Sequence, residues 1–246
     1  MAEAEVSRIP RRKWRRRVVR SSLALLGTLL ALVLAGLGYE LSLPSVADAP
    51  AQVATIVRSH GGELGHLPLP TKLAEAEVAV EDEHFYSNVL VDVFDGAARA
   101  ALTALRSSGD PGGSTIAQQL AKQLYPSDSS FAGTLEQVGL GLQLALSFSK
   151  PRILEMYLNA IYYGNGYWGY LNAARGYFGV APEELNWAEA SLLAGLPQAP
   201  SDYDPVLHFG LAKQRQLQVL DQLVANHVLT AVQARAAYKA PLPLRR

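Results

Sequence analysis

The chain has 246 residues, 49% of them hydrophobic and 18% charged, with 22 basic residues balanced by 22 acidic ones. That length admits one large domain or two small ones, and the composition is apolar enough that part of the chain is expected to meet lipid. There is no cysteine, which excludes disulfides and thiol catalysis and makes an oxidising compartment no obstacle.

Residues 1–20 form a basic segment with Arg8, Arg11, Arg12, Lys13, Arg15, Arg16, Arg17 and Arg20. The next 19 positions, Ser21 to Tyr39, are uncharged. At about 1.5 Å per residue, such a helix nearly matches a hydrocarbon core of roughly 30 Å. The pattern predicts a single-pass transmembrane helix over 21–39, its basic end cytoplasmic and the remainder exported, as in a cell inner membrane facing a periplasm. A cleaved signal peptide is the rival reading, disfavoured because its apolar region usually runs about 7 to 15 residues. A nucleic-acid-binding tail is weaker still, because the arginines abut the apolar run. Past Arg20, 14 basic residues stand against 20 acidic ones, which argues against a nucleic-acid partner.

Residues 40–69 read as tether and entry segment, with the Pro- and Ala-rich LSLPSVADAPA at Leu41 to Ala51. Residues 70–235 read as one mainly α domain, with apolar residues at spacings of three and four, no internal repeat and no low-complexity block. Asn186 and Glu189 form a capping box for WAEASLLAGL, which Gly195 and Pro197 end. Ser149 caps KPRILEMYLNAIYY, with Pro151 tolerated in the first turn. Residues 236–246 form a tail, expected to fray from Ala240 to Arg246.

Within the domain, GDPGGSTIAQQLAKQLY spans Gly109 to Tyr125. On a helix beginning near Ser114, Ser114, Gln118 and Lys122 share one stripe, Thr115 and Gln119 lie beside it, and Ile116, Leu120 and Leu124 point the other way. Gly112 and Gly113 let the backbone turn without a Cβ, so a ligand can approach the free N–H groups of the first turn. Those donors, the helix dipole and Lys122 suit a phosphate or pyrophosphate. An ordinary loop with a serine cap is the alternative, and the P-loop pattern is absent.

Upstream, VAVEDEHFYSNVLVD runs from Val78 to Asp92, with Glu81 closing an apolar run. A carboxylate set against apolar packing loses solvation and exchanges a proton near neutral pH, the profile of a general base or acid. A solvated acidic cluster of Glu81, Asp82 and Glu83 is the alternative.

Together with SKPRILEMYLNAIYYGNGYWGYLNAARGYFG and LNWAEASLLAGLPQAPSDYDP, these stretches resemble, in order and spacing, the peptidoglycan glycosyltransferases of family 51. The resemblance covers roughly Lys72 to Pro205, and GGSTIAQQLAKQLY is very close to the family's second motif. It implies a lysozyme-like α fold that polymerises lipid II at the outer face of the cytoplasmic membrane, with polyprenyl-linked glycan as donor. By the same resemblance Glu81 is the base for the acceptor's 4-hydroxyl, and Ser114, Gln118 and Lys122 hold the leaving pyrophosphate. Asp82, Phe85, Arg99, Gly113, Thr115 and Gln119 complete the implied substrate site. A divalent cation, Mg or Mn, is a candidate at the pyrophosphate, with no other cofactor. Membrane lipid and cell-wall synthesis proteins are the implied partners.

The departures are specific. Asn88 and Leu90 stand where the family has His and Gly, while Asp92 keeps its Asp. The third motif, Arg-Lys with Glu three residues on, reads Gly133, Thr134 and Gln137, with Glu136 one residue out of register as the candidate second catalytic carboxylate. Either Arg99 or Arg106 substitutes for the lost arginine, or activity is weak. A relative that binds lipid-linked glycan without polymerising it, and a lysozyme-type glycan-cleaving enzyme, are the rival functions. SFSK, Ser147 to Lys150, matches the SxxK of penicillin-binding sites by chance, since no SDN or KTG follows. HGGELGH, His60 to His66, reads as a loop rather than a metal site. Tyr162, Tyr163, Tyr167, Trp168 and Tyr170 read as core and interface residues.

Overall fold

The computed structural model describes residues 11–86, 115–128 and 130–245, with side chains described from Val19 onward apart from those at 29, 32, 33, 37 and 131. The chain divides into two compact units, Met1–Leu43 and Pro44–Arg246. In the first, α1 (Arg11–Ser42) is a continuous 32-residue helix. Leu23, Leu25, Leu26, Leu30 and Leu34 are exposed on it. Among the described residues no helix is long and apolar enough to cross a membrane; four side chains of the apolar run, at 29, 32, 33 and 37, lie outside the description.

The second unit is helical. Among its described residues, strand pairing is confined to a single bridge between Tyr162 and Trp168. The helices of its described residues are α2 (Ala49–Ser59), α3 (Thr71–Glu81), α4 (Ile116–Leu124), α5 (Phe131–Ser147), α6 (Lys150–Ala160), α7 (Tyr170–Tyr177), α8 (Trp187–Gly195), α9 (Phe209–Ala225) and α10 (Ala231–Lys239). Short 3-10 turns at Pro182–Glu184 and Leu196–Gln198 bracket α8. Two packing groups organise these elements. Helix α3 packs against α8 and α9, while α4 packs against α5 and α6, and α6 also carries α2.

The buried residues follow helical spacing. Leu73 and Ala76 of α3, Ile116 and Leu120 of α4, Leu140 and Leu144 of α5, Ile153, Leu154 and Leu158 of α6, and Val219, Leu220 and Leu223 of α9 are all fully buried. Each large member of that set stabilises the fold by about 1.5–3 kcal/mol relative to exposure. Tyr163 and Tyr170 belong to the same core. The HGGELGH segment is a loop, fastened by Asn159, whose carboxamide accepts from Gly65 N at 2.8 Å and donates to Gly65 O at 3.0 Å.

Three expectations shift. The tether is shorter than the Pro- and Ala-rich stretch: only Leu43 to Asp48 lies between helices, because Pro50 sits in the first turn of α2, where its missing N–H costs nothing. The glycine-motif helix starts at Ile116, with Thr115 rather than Ser114 as N-cap. The tail does not hang free, since Arg245 N donates to Tyr177 O at 2.7 Å. The Asn186–Glu189 capping box forms as the spacing indicates. Ser149 does precede α6, but without a side-chain cap bond.

Candidate active site

Glu81 is the last residue of α3, and the helix stops there because Asp82 turns out of it at φ −160°. One turn earlier Glu77 lies on the same face, so two carboxyls at i and i+4 point the same way. Helix α4 reaches Glu81 through Gln119, whose Nε2 donates to Glu81 Oε2 at 2.8 Å. The carboxamide is itself oriented by Tyr157, which donates its hydroxyl to Gln119 Oε1 at 3.0 Å. From α9, Arg215 Nη2 lies 3.7 Å from Glu81 Oε1. The surroundings of Glu81 are therefore an amide and a guanidinium, not the apolar packing that the preceding residues suggest, because α4 and α9 bring polar groups from distant sequence.

Glu77 is different. It is fully buried, accepts from Tyr163 Oη at 3.1 Å, and its Oε2 has no hydrogen-bond partner. Burial holds its carboxyl well above the usual range, and the nearby Glu81 pushes it the same way, against the Tyr163 hydrogen bond and Arg215. Burial likewise raises the Tyr157 and Tyr163 hydroxyls, with Glu77 adding to both.

The start of α4 is closed by protein groups. Thr115 Oγ1 accepts from Gln118 N at 3.2 Å, and Gln118 Oε1 accepts from Thr115 N at 3.2 Å, a reciprocal capping box. Asp82 Oδ2 accepts from Ile116 N at 3.1 Å, tying the end of α3 to the start of α4. Two N–H groups of the first turn are thus already engaged, which corrects the expectation of an open helix terminus. Gly113, Ser114 and Arg99 lie outside the described residues, as do Asn88, Leu90, Asp92 and Arg106.

A cavity of about 210 Å³ adjoins this junction, walled by Asp82, Phe85, Thr115, Gln118 and Lys150 and closed by the Val138 to Ala145 face of α5. Lys150 Nζ stands 4.8 Å from the centre of the Phe85 ring, so SFSK, set aside as a chance match, supplies a cation here. Gly141 permits the close crossing of α4 and α5, since a Cβ there would sit 2.8 Å from Gln118 Cγ. Lys122 is exposed and lies one turn beyond Gln118 on the same stripe.

Gln137 is buried and faces the loop after α4, donating from Nε2 to Tyr125 O at 2.6 Å and to Ser127 Oγ at 2.9 Å. Glu136 is half-buried. At about 100° per residue it lies on the side of α5 away from Val138 and Ala145, which wall the cavity. Among the described residues no three metal-ligating side chains stand together, and Asp82 Oδ2 already accepts from Ile116 N.

Sequence reasoning missed Arg215, Tyr157, Tyr163, Glu77 and Lys150 as neighbours of the site. Of these, only Glu77 carried a local signal, its four-residue spacing from Glu81.

The family model described as Transglycosylase matches residues 57–224. The chain belongs to the transglycosylase family. Its match covers every described residue of the site. This transglycosylase-family chain is 38% identical over 178 residues to a Cupriavidus necator protein that carries the name transglycosylase, covering 72% of the chain and 77% of that protein. It is 39% identical over 175 residues to penicillin-binding protein 1A of Neisseria flavescens, covering 70% of the chain but only 22% of that much longer relative. Among solved structures it is similar to penicillin-binding protein 1A from Haemophilus influenzae, with 29% identity, a TM-score of 0.38, and coverage of 53% of this chain and 16% of that one. Family membership is consistent with glycosyl transfer in peptidoglycan synthesis.

Proposed function

We infer that the chain polymerises lipid II into glycan strands, with Glu81 as general base. Glu81 takes the proton from the acceptor's 4-hydroxyl, whose oxygen bonds to the donor's anomeric carbon while the bond from that carbon to the pyrophosphate oxygen breaks, with inversion. The charge left on the polyprenyl pyrophosphate is met by Lys122 and Ser114 of the glycine motif and by Lys150 at the cavity wall. The observation that carries this reading is the bond from Gln119 to Glu81, which joins the acidic motif to the helix of the glycine motif. On this reading the apolar run of α1 anchors the chain in the inner membrane, its basic end cytoplasmic and a lysozyme-like domain on the periplasmic side, beside membrane lipid and cell-wall synthesis proteins.

The test is glycan polymer from lipid II by the purified full chain in detergent, and its loss in Glu81→Gln. The second reading, a relative that binds lipid-linked glycan without extending it, is favoured by Gly133, Thr134 and Gln137 in place of the third motif and by the position of Glu136 on α5. Under that reading lipid II binds, no polymer forms, and Glu81→Gln changes neither result.

A further inference from the structure

The inner face of α3 carries two carboxyls and, among the described residues, one guanidinium near them. Arg215 is within ion-pair distance of Glu81, and its remaining donors go to Gly195 O at 3.3 Å and Gln218 Oε1 at 3.0 Å. Glu77 is fully buried and, among the described residues, its one hydrogen bond is that from Tyr163, with its Oε2 left without a partner. An anion so placed would be expensive, because no solvent reaches it and Arg215, already within ion-pair distance of Glu81, offsets the burial only in part. A neutral acid there is far cheaper.

We propose that Glu77 is a positioning residue of the site, a carboxylic acid kept protonated one turn behind Glu81 so that Arg215 serves Glu81 alone. Ionising Glu77 puts a second negative charge in the same dry space, draws Arg215 away from Glu81, and moves the base off its geometry. Among the described residues, the charged and titratable groups around it are Glu81 on its own helix, Arg215 on α9, Tyr157 on α6 and Tyr163 in the following loop. Helix α8 adds only Glu189, whose carboxylate accepts from Asn186 N at 2.9 Å. The role of Glu81 rests on the function inferred above, but the protonation of Glu77 does not.

The sign of the linkage is fixed. The carboxyl sits higher in the folded state than in the unfolded one, so the folded state binds more protons between those two values. The stability of the wild type therefore falls, relative to a variant lacking this proton, as pH climbs from about 4.5 upward.

The test uses the full chain in detergent. At neutral pH, infrared difference spectra between wild type and Glu77→Gln should show a protonated-carboxyl C=O stretch that the variant lacks. The Tm of Glu77→Gln should gain on that of the wild type as pH rises above about 4.5. In the polymerisation assay, the ratio of variant to wild-type kcat/KM should climb severalfold over the alkaline range, which a merely structural role would not produce. Should Glu77→Gln fail to fold, Tyr163→Phe removes the hydroxyl that favours the anion, and the band should persist to higher pH. Absence of the band, a flat Tm difference, or a Tyr163→Phe band that ionises where the wild type does would overturn the proposal. Absence of polymer from the wild type, with the band present, would instead count against the glycosyltransferase reading.

Discussion

Removing the guanidinium of Arg215 tests the electrostatic frame of the site most directly. Arg215→Met keeps the aliphatic stem but deletes the charge 3.7 Å from Glu81 Oε1. Two unit charges at that distance interact by about 1 kcal/mol at the dielectric of water and about 4.5 kcal/mol at an effective value near 20. The side chains are only 10% and 14% exposed, which favours the upper part of that range, while the desolvation of both ions offsets some of it. A coupling of about 2 kcal/mol is the expected balance, with Arg215→Met alone costing about 3 kcal/mol because Glu81 is left with the Gln119 amide and no cation, and the Gly195 carbonyl loses the Arg215 donor. The measurement is a double-mutant cycle of Arg215→Met and Glu81→Gln, followed by urea unfolding with the fluorescence of Trp168 and Trp187 as reporters. A coupling below about 0.5 kcal/mol, the scatter of independent sites, would refute the claim that the two ions act as a pair.

Three further outcomes follow from the geometry. Thr115→Ala removes the acceptor for Gln118 N and should cost about 1 kcal/mol in a thermal melt, with Thr115→Ser restoring most of it. Gly141→Val drives side-chain carbon into Gln118 and should destabilise by about 1–3 kcal/mol while lowering polymer yield, since the cavity wall shifts with α4. Asn159→Leu leaves both polar groups of Gly65 without their partner and should cost about 2–4 kcal/mol in urea unfolding, with the loop at residues 60–66 becoming protease-sensitive.

Much of the architecture was legible because its signals are local. The Asn186–Glu189 box, the spacing that buries Ile116, Leu120 and Leu124, and the apolar run before Glu81 each lie within a dozen residues. The neighbours of Glu81 were not legible, because Arg215 is brought in by α9 and Tyr157 by α6, and nothing in either helix marks one residue of its inner face as a partner. The first turn of α4 was misjudged for a similar reason. Its glycines advertised open N–H groups, whereas Asp82, from another motif, fills one of those positions. The short tether and the docked tail show propensity giving way to context: Pro50 starts a helix, and a backbone bond to Tyr177 secures residues whose composition alone would leave them loose.

Gln137 holds the turn after α4 with hydrogens that only an amide can give, donating to the Tyr125 carbonyl and the Ser127 hydroxyl. A glutamate at this position has no hydrogens to give and, when ionised, sets its charge against that carbonyl. A second carboxylate therefore cannot be installed at 137 by a single exchange: the turn that the amide fastens would have to be re-routed with it.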